Sequence, residues 1–546
     1  MNNAQHSAKT STSDWWKGGV IYQIYPRSFQ DSSGDGIGDL RGITQRLDHI
    51  AKLGADAIWL SPIFTSPMDD MGYDVSNYID IDPLFGTLAD FDALIARAHE
   101  LGIKVIIDQV ISHSSDQHPF FLESKQDKTN PKADWYVWAD PLPDGTPPNN
   151  WLSIFGGSAW TWNAKRRQYF MHNFLTSQPD LNLHNPEVQD YLIGTMRFWL
   201  ERGVDGFRLD TVNFYMHDLE LRNNPPEPPR QDAPRVNPYD MQSHDYSKNR
   251  PENVAFLERL RALCDEFDDR AMVGEVGENH RRVEIMAEYT KGDNRLHMAY
   301  SFDMLDNFFT PAFYRDRIET FFKMAPDGWP CWSFSNHDVI RHVTRWAKYG
   351  AQKPLAKLAG AMLTSFPGSI CLYQGEELGL GETDIEYHEL TDPPGFTFWP
   401  DYKGRDGCRT PMPWVAQDEF GGFSTHKPWL PVKAPQAALA VDRQTGDPDS
   451  VLECYRALLV MRRNNPVFKG PDFKFHDVAD PLLALTRGTG ADAITAVFNM
   501  SPNAQTVTLK GSAQLTGPAE AATLDGTSLA LGPNGFAFWT GGAVPA

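Results

Sequence analysis

From residue 18 onward the chain alternates between short, almost wholly apolar runs and longer segments whose apolar residues recur every three or four positions. The first kind reads as buried strands, the second as helices packed along one face. "GGVIYQIYP" (18–26) is followed, after an Asp/Gly loop, by the helical "LRGITQRLDHIAKLG", and "DAIWLSP" (56–62) by "FDALIARAHELG". Then come "IKVIIDQV" (103–110) and, behind the helical "EVQDYLIGTMRFWLERG", "DGFRLDTV" (205–212). "RAMVGEV" (270–276), "LHMAYSF" (296–302), "CWSFSNHD" (331–338) and "SICLYQG" (369–375) continue the strand series. Strands joined by helical crossovers run parallel. The pattern predicts an α/β fold with about eight such strands, a (β/α)8 TIM barrel.

A barrel of this kind takes about 250 residues, so a chain of 546 must carry additions. A Trp- and Pro-rich segment without a clear helix follows the third strand and predicts an inserted subdomain. Residues 381–430 predict a long structured loop after the last strand, and loops of that length are usually functional. The Pro-rich stretch 222–238 predicts an extended surface loop. From Val467 onward, short β-type runs parted by Gly and Asn turns predict a small antiparallel domain. The expected division is a flexible tail at 1–14, the catalytic barrel at 15–112 and 182–466, the inserted subdomain at 113–181, and a C-terminal β-sandwich domain at 467–546.

Composition narrows the partners. The formal net charge is −21 with 41% hydrophobic residues, which argues against nucleic acid or an anionic membrane surface, since both need a concentrated positive footprint. The opening residues lack the basic start and apolar core of a secretory leader. No run reaches the ~18 apolar residues of a membrane helix. Cys264, Cys331, Cys371, Cys408 and Cys454 are odd in number and scattered, as expected of reduced thiols. These features predict a soluble cytoplasmic protein with a neutral or uncharged partner; a monomer or homodimer is expected.

The chemistry shows where charges interrupt strands. In "GFRLDTVN" (206–213) Arg208 and Asp210 are two apart and share a face, near the C-terminal end of a strand, where barrel enzymes keep their sites. A structural ion pair is the alternative reading of these two residues alone. Other strand ends decide between them: Glu275 in "VGEV", His337 and Asp338 in "FSNHD", Asp108 and His113 in "DQVISH". Carboxylates converging on one rim repel one another, a cost a site explains. Paired carboxylates suit glycosidic cleavage, one protonating the leaving oxygen while the other attacks carbon or activates water.

The blocks "DQVISH", "GFRLDTVN", "VGEVGE" and "FSNHD", in this order, resemble the signature regions of the α-amylase family, glycoside hydrolase family 13. "SPMDDMGYD", "QPDLN" and "PGSICLYQGEELG" extend the likeness from Trp15 to Trp414, and "GRDGCRTPMPW" resembles the α-glucosidase and oligo-1,6-glucosidase branch. The resemblance implies that Asp210 is the nucleophile forming a β-glucosyl-enzyme, Glu275 the general acid/base, and Asp338 a carboxylate binding substrate hydroxyls, with net retention. It implies that Arg208 keeps Asp210 ionised and that His113 and His337 donate to hydroxyls of the bound sugar. Asp70 and Arg405 would grip the outermost hydroxyls of a terminal glucose and Tyr73 would stack on its ring, making the enzyme exo-acting. Phe174 either lines that pocket or packs in the core. Ser112 departs from the family, where Asn commonly precedes this His.

"DSSGDGIGD" (31–39) alternates oxygen-bearing residues with glycines, as hard cations require. The branch resemblance implies a structural Ca2+ or Mg2+ held by Asp31, Ser33, Asp35, Asp39 and the Ile37 carbonyl; a metal-free Asp/Gly turn is the alternative. No organic cofactor is expected. Thr211 after the nucleophile resembles α-1,4-preferring members, so the expected substrates are maltose and short maltooligosaccharides, with transglucosylation of sugar acceptors alongside hydrolysis. A transglucosidase or sucrose isomerase shares every one of these residues. A non-catalytic amylase-like binding protein would have lost the carboxylates, which this chain retains.

Overall fold

The computed structural model describes residues 14–227, 237–278 and 280–545. The expected tail at 1–14 falls almost wholly outside them, as does much of the Pro-rich stretch at 222–238. Eight parallel strands form one sheet: β1 (Val20–Ile24), β2 (Ala57–Leu60), β3 (Lys104–Gln109), β4 (Gly206–Leu209), β5 (Ala271–Val276), β6 (Met298–Ser301), β7 (Cys331–Ser333) and β8 (Ser369–Tyr373). They hydrogen-bond in the order β6-β5-β4-β3-β2-β1-β8-β7. A parallel bridge from Ala299 to Pro330 joins the two ends, so the sheet closes as the predicted barrel.

Eight longer helices flank the barrel strands: α1 (Leu40–Leu53), α2 (Leu88–Glu100), α3 (Pro186–Glu201), α4 (Asn253–Cys264), α5 (Arg282–Thr290), α6 (Pro311–Met324), α7 (Gln352–Ser365) and α8 (Val451–Asn464). Local chemistry starts and stops them. The Asp39 carboxylate accepts from the Gly42 N–H at the first turn of α1, and Gly54, at φ +102°, ends it. Thr87 and Asp90 close a reciprocal capping box on α2.

Strand alternation sorts the barrel interior into layers. Ile21, Ala57, Ile106, Val273, Met298, Cys331 and Cys371 pack together inside it. Two positions further along the strands stand Gln23, Asp108, Arg208, Glu275 and Tyr300, all buried. The inside thus turns from apolar to charged towards the C-terminal end, where the side chains no longer meet only one another.

Within residues 113–181 a small antiparallel sheet pairs Trp138–Ala139, Gln168–Met171 and Trp160–Asn163. This segment also holds a helix, Pro119–Ser124, which the sequence pattern missed because six residues are too short to show a helical period. After β8, residues 381–430 fold into short turns and the helix Pro393–Phe398. The C-terminal strands, from Phe473 on, build a second, antiparallel sheet. It is fastened to the barrel through α7: buried Arg487 donates to the carbonyls of Ser365 (2.9 Å), Phe468 and Gly470. Among the described residues the five cysteines are unpaired, and no helix is long and apolar enough to cross a membrane.

Candidate active site

The charged layer opens into a cavity of about 440 Å³ at the C-terminal end of the barrel, within the range of small-molecule sites. Its walls include Asp70, Tyr73, His113, Phe174, Asp210, Thr211, Glu275, Asp338 and Arg405. The inserted segment, the barrel strands and the 381–430 excursion all contribute, so residues far apart in sequence face one space.

Arg208 is the hub behind this cavity. Its register explains its contacts: β4 pairs with β3 so that Arg208 lies beside Asp108, and β5 pairs with β6 so that Glu275 lies beside Tyr300. One guanidinium nitrogen donates to Asp108 (2.9 Å) and Asp210 (2.6 Å), and the other pairs with Glu275 at 2.7 Å. The Tyr300 hydroxyl accepts from Arg208 (2.9 Å) and donates to Glu275 (3.0 Å). The Arg fork is suited to this, because its donors diverge in one rigid plane. Thr211 completes the frame. It sits in the left-handed region at φ +41°, unusual for a β-branched residue. In this conformation its N–H donates to Glu275 (3.0 Å) and its hydroxyl to Asp210 (3.2 Å).

Burial raises both Asp210 and Glu275 to about 7, against the pull of Arg208, and Asp108 to about 6. The first two face each other across one guanidinium and titrate as a pair. One proton on the pair near neutrality gives one carboxylate and one carboxylic acid, the complement that acid-assisted nucleophilic cleavage needs. Asp338 differs: burial pushes its carboxyl up, but His337, Arg405 and Arg409 together outweigh this and hold it below the usual range. Arg405 and Arg409 both donate to its Oδ1, at 3.1 and 3.0 Å.

At the closed end, Asp70 accepts from Arg405 (2.7 Å) and Gln178 (3.1 Å). Asp392 fixes the Arg405 guanidinium with bonds of 2.6 and 3.1 Å. His113 lies 2.8 Å from Ser112 and 3.0 Å from the Tyr73 carbonyl, and burial lowers its pKa to about 4, leaving a neutral imidazole. Phe174 lines the cavity while also packing on His113, Phe155 and Phe214.

Arg208, expected beside the substrate as the partner of Asp210, and His337, expected to donate to a sugar hydroxyl, stand behind the wall. Arg208 and His337 are fully buried and do not line the cavity. His337 has both ring nitrogens engaged, with Gln23 at 2.7 Å and the Tyr73 hydroxyl at 2.5 Å, and its ring stacks on Tyr73 at 5.3 Å. In this arrangement it orients Tyr73 rather than reaching a hydroxyl itself. Sequence reasoning passed over Tyr300, Gln178, Asp392, Arg409 and Lys248. Tyr300 lay on a predicted strand at the same parity as Met298, Gln178 and Arg409 lay inside quoted motifs, and Asp392 lay in the long loop at 381–430; nothing local marked Lys248.

The 31–39 loop holds itself together by hydrogen bonds. Asp31 accepts from the N–H groups of Ser33, Gly34 and Gly36 and from the Ser424 hydroxyl, while Asp39 accepts from Ser32, Ser33 and Gly42. Asp35 accepts from Ile37 N–H (2.9 Å). Oxygen chemistry of this kind suits a hard cation, although among the described residues no cluster of three or more His, Cys, Asp or Glu side chains is arranged to hold one; the chemistry of the cavity runs through no metal.

Comparison with known proteins agrees on the family. The alpha amylase catalytic domain matches residues 23–470. A probable alpha-glucosidase of Rhizobium meliloti is 57% identical over 512 residues, 93% of either chain. An oligo-1,6-glucosidase of Heyndrickxia coagulans is 36% identical over 90% of this chain and 93% of its own. Among solved structures, the alpha-glucosyl transfer enzyme XgtA superposes with TM-score 0.94 at 50% identity, covering 97% of this chain and all of its own. The trehalulose synthase MutB of Pseudomonas mesoacidophila superposes with TM-score 0.86 at 31% identity, over 96% and 99%.

Proposed function

The chain belongs to the α-amylase family and is a glycoside hydrolase with glucosidase relatives, and from that premise we propose that it is a retaining, exo-acting α-glucosidase preferring α-1,4 bonds in maltose and short maltooligosaccharides. The observation that carries this is the Arg208-bridged pair Asp210 and Glu275 opening into a cavity whose other end is closed by Asp70 and Arg405.

In this mechanism the terminal glucose lies between Asp70 and Asp210, its hydroxyls held by Asp70, Arg405 and Asp338, with His113 lining the same wall. Asp210 attacks the anomeric carbon as protonated Glu275 gives its proton to the glycosidic oxygen; the carbon–oxygen bond breaks and the aglycone leaves. Glu275, now a carboxylate, takes a proton from water, whose oxygen displaces Asp210 with a second inversion, so configuration is retained. Arg208 and Tyr300 hold the two carboxyl groups in place. Thr211 beside the nucleophile supports α-1,4 over α-1,6 selectivity. Proton NMR of maltose with purified protein tests the reading. Early α-glucose ahead of mutarotation is expected; β-glucose first, or faster turnover of isomaltose, would overturn retention or linkage preference respectively.

A second reading, transfer of the glucosyl group to a sugar or other alcohol, is favoured by the likeness to an alpha-glucosyl transfer enzyme and a trehalulose synthase. It needs only that an acceptor hydroxyl replace water in the second step. New linkage signals in the same NMR experiment, or isomerised products from sucrose, distinguish it. A structural Ca2+ or Mg2+ at Asp31, Ser33, Asp35, Ile37 and Asp39 is a separate proposal and concerns stability alone. A Tm raised by millimolar Ca2+ or Mg2+ and lowered by chelation supports it; an unmoved Tm removes it.

A further inference from the structure

With the terminal glucose between Asp70 and Asp210, the aglycone must leave past Glu275, where the cavity wall is made by Lys248, Gly277, Glu278, Phe302 and Arg282. Behind that wall lies a second hollow of about 380 Å³, lined by residues of α5, α6 and the loop after β6. Arg282 lines both spaces. From the first position of α5 its guanidinium is strung across two loops: Nε donates to the Glu278 carbonyl (2.5 Å), and Nη1 to the Phe302 carbonyl (3.2 Å) and Asp306 (3.1 Å). A side chain held at three acceptors is a fixed bar rather than a mobile arm.

The second hollow is furnished for a sugar. Phe308 is 44% exposed and stacks on Phe313 at 5.2 Å, offering an apolar face. The Asp303 carboxylate is buried beside it, and the buried Nε of Arg317 has no hydrogen-bond partner.

We propose that Arg282 is a specificity-determining partition that stops the aglycone side of the cavity, and that the hollow beyond it is a latent subsite for further glucosyl units. This rests on the glucosidase reading above. Shortening Arg282 joins the two spaces and removes its hydrogen bonds to the Glu278 and Phe302 carbonyls and the Asp306 carboxylate, contacts that hydroxyls of a longer oligosaccharide replace.

The test is the ratio of kcat/KM for maltotriose to that for maltose, measured in the wild type, Arg282→Ala and Arg282→Lys; a ratio cancels any loss common to both substrates. At least a tenfold rise is expected in Arg282→Ala, through a lower KM for maltotriose. The Lys variant, whose chain still crosses the gap, should stay within threefold of the wild type. An unchanged ratio in an active Arg282→Ala enzyme overturns the proposal. Should that variant not fold, Arg282→Gln, shorter and neutral, is read by the same ratio with the same two outcomes. A wild type inert on every α-glucoside overturns the glucosidase reading together with this one, and is thereby told apart from an unchanged ratio in a working enzyme.

Discussion

Replacing Arg208 by Met keeps the side chain's length and deletes its charge. In the native protein this fully buried guanidinium stands 2.9 Å from Asp108, 2.6 Å from Asp210 and 2.7 Å from Glu275. Removing one member of a buried ion pair costs about 3–5 kcal/mol, a large share of a typical ~5–15 kcal/mol of folding stability. The three carboxyls can take up protons instead of standing as bare charges, which makes the cost depend on pH. With Arg208 present, burial already lifts Asp108 to about 6 and the Asp210–Glu275 pair to about 7. A carboxyl whose folded pKa exceeds its unfolded value costs the native state nothing below the unfolded pKa and progressively more as pH rises to the folded one. Deleting Arg208 raises the folded values further, so the added electrostatic cost falls above about pH 7. The Tm deficit should therefore be smaller at about pH 5.5 than at about pH 8.5. Activity should fall as well, with the acid limb of kcat/KM moved to higher pH; each tenfold loss of ionised nucleophile corresponds to ~1.4 kcal/mol. Thermal melts at both pH values and a pH–rate profile on p-nitrophenyl α-glucoside measure this. Equal Tm deficits at the two pH values, or an acid limb that stays put, would refute Arg208 as the charge that keeps these carboxyls ionised.

The wild-type kcat/KM should be bell-shaped and centred near neutrality, since burial places both Asp210 and Glu275 at about 7; a flat profile across that range would remove the pair from the chemistry. Thr211→Val deletes the hydroxyl contact to Asp210 (3.2 Å) and should raise the isomaltose-to-maltose kcat/KM ratio by about 10-fold or more, the effect one pocket group typically exerts; a constant ratio would leave linkage choice to other residues. Gly360→Ala places a Cβ 2.7 Å from the Tyr455 ring between α7 and α8 and should cost about 1–3 kcal/mol by overpacking, seen as a lower Tm with kcat/KM intact. A normal Tm would mean that the helices separate freely there.

Periodicity and motif order revealed the barrel because both are local. A parallel strand buried on both faces announces itself as an apolar run, and a charge within such a run, as at Arg208 and Asp210, marks a departure that packing alone does not explain. The helix Pro119–Ser124 went unseen because one and a half turns carry no period. The residue types of the 31–39 loop are legible in the sequence, whereas the direction in which each oxygen points is not: Asp31 and Asp39 are turned onto backbone N–H groups of their own loop.

The sequence by itself determined which residues are charged at strand ends, and hence that Asp210, Glu275 and Asp338 meet on one rim. Only the tertiary structure decided how they are used. Strand register set Arg208 beside Asp108 and Tyr300 beside Glu275; loop packing brought Asp392 and Arg409 to fix Arg405 and Asp338; and ring stacking put His337 behind Tyr73 rather than in the cavity. The physical reason is range. Strand and helix formation follow from neighbours a few residues apart, while the protonation of a carboxyl and the reach of a side chain depend on burial and on charges contributed by segments hundreds of positions away.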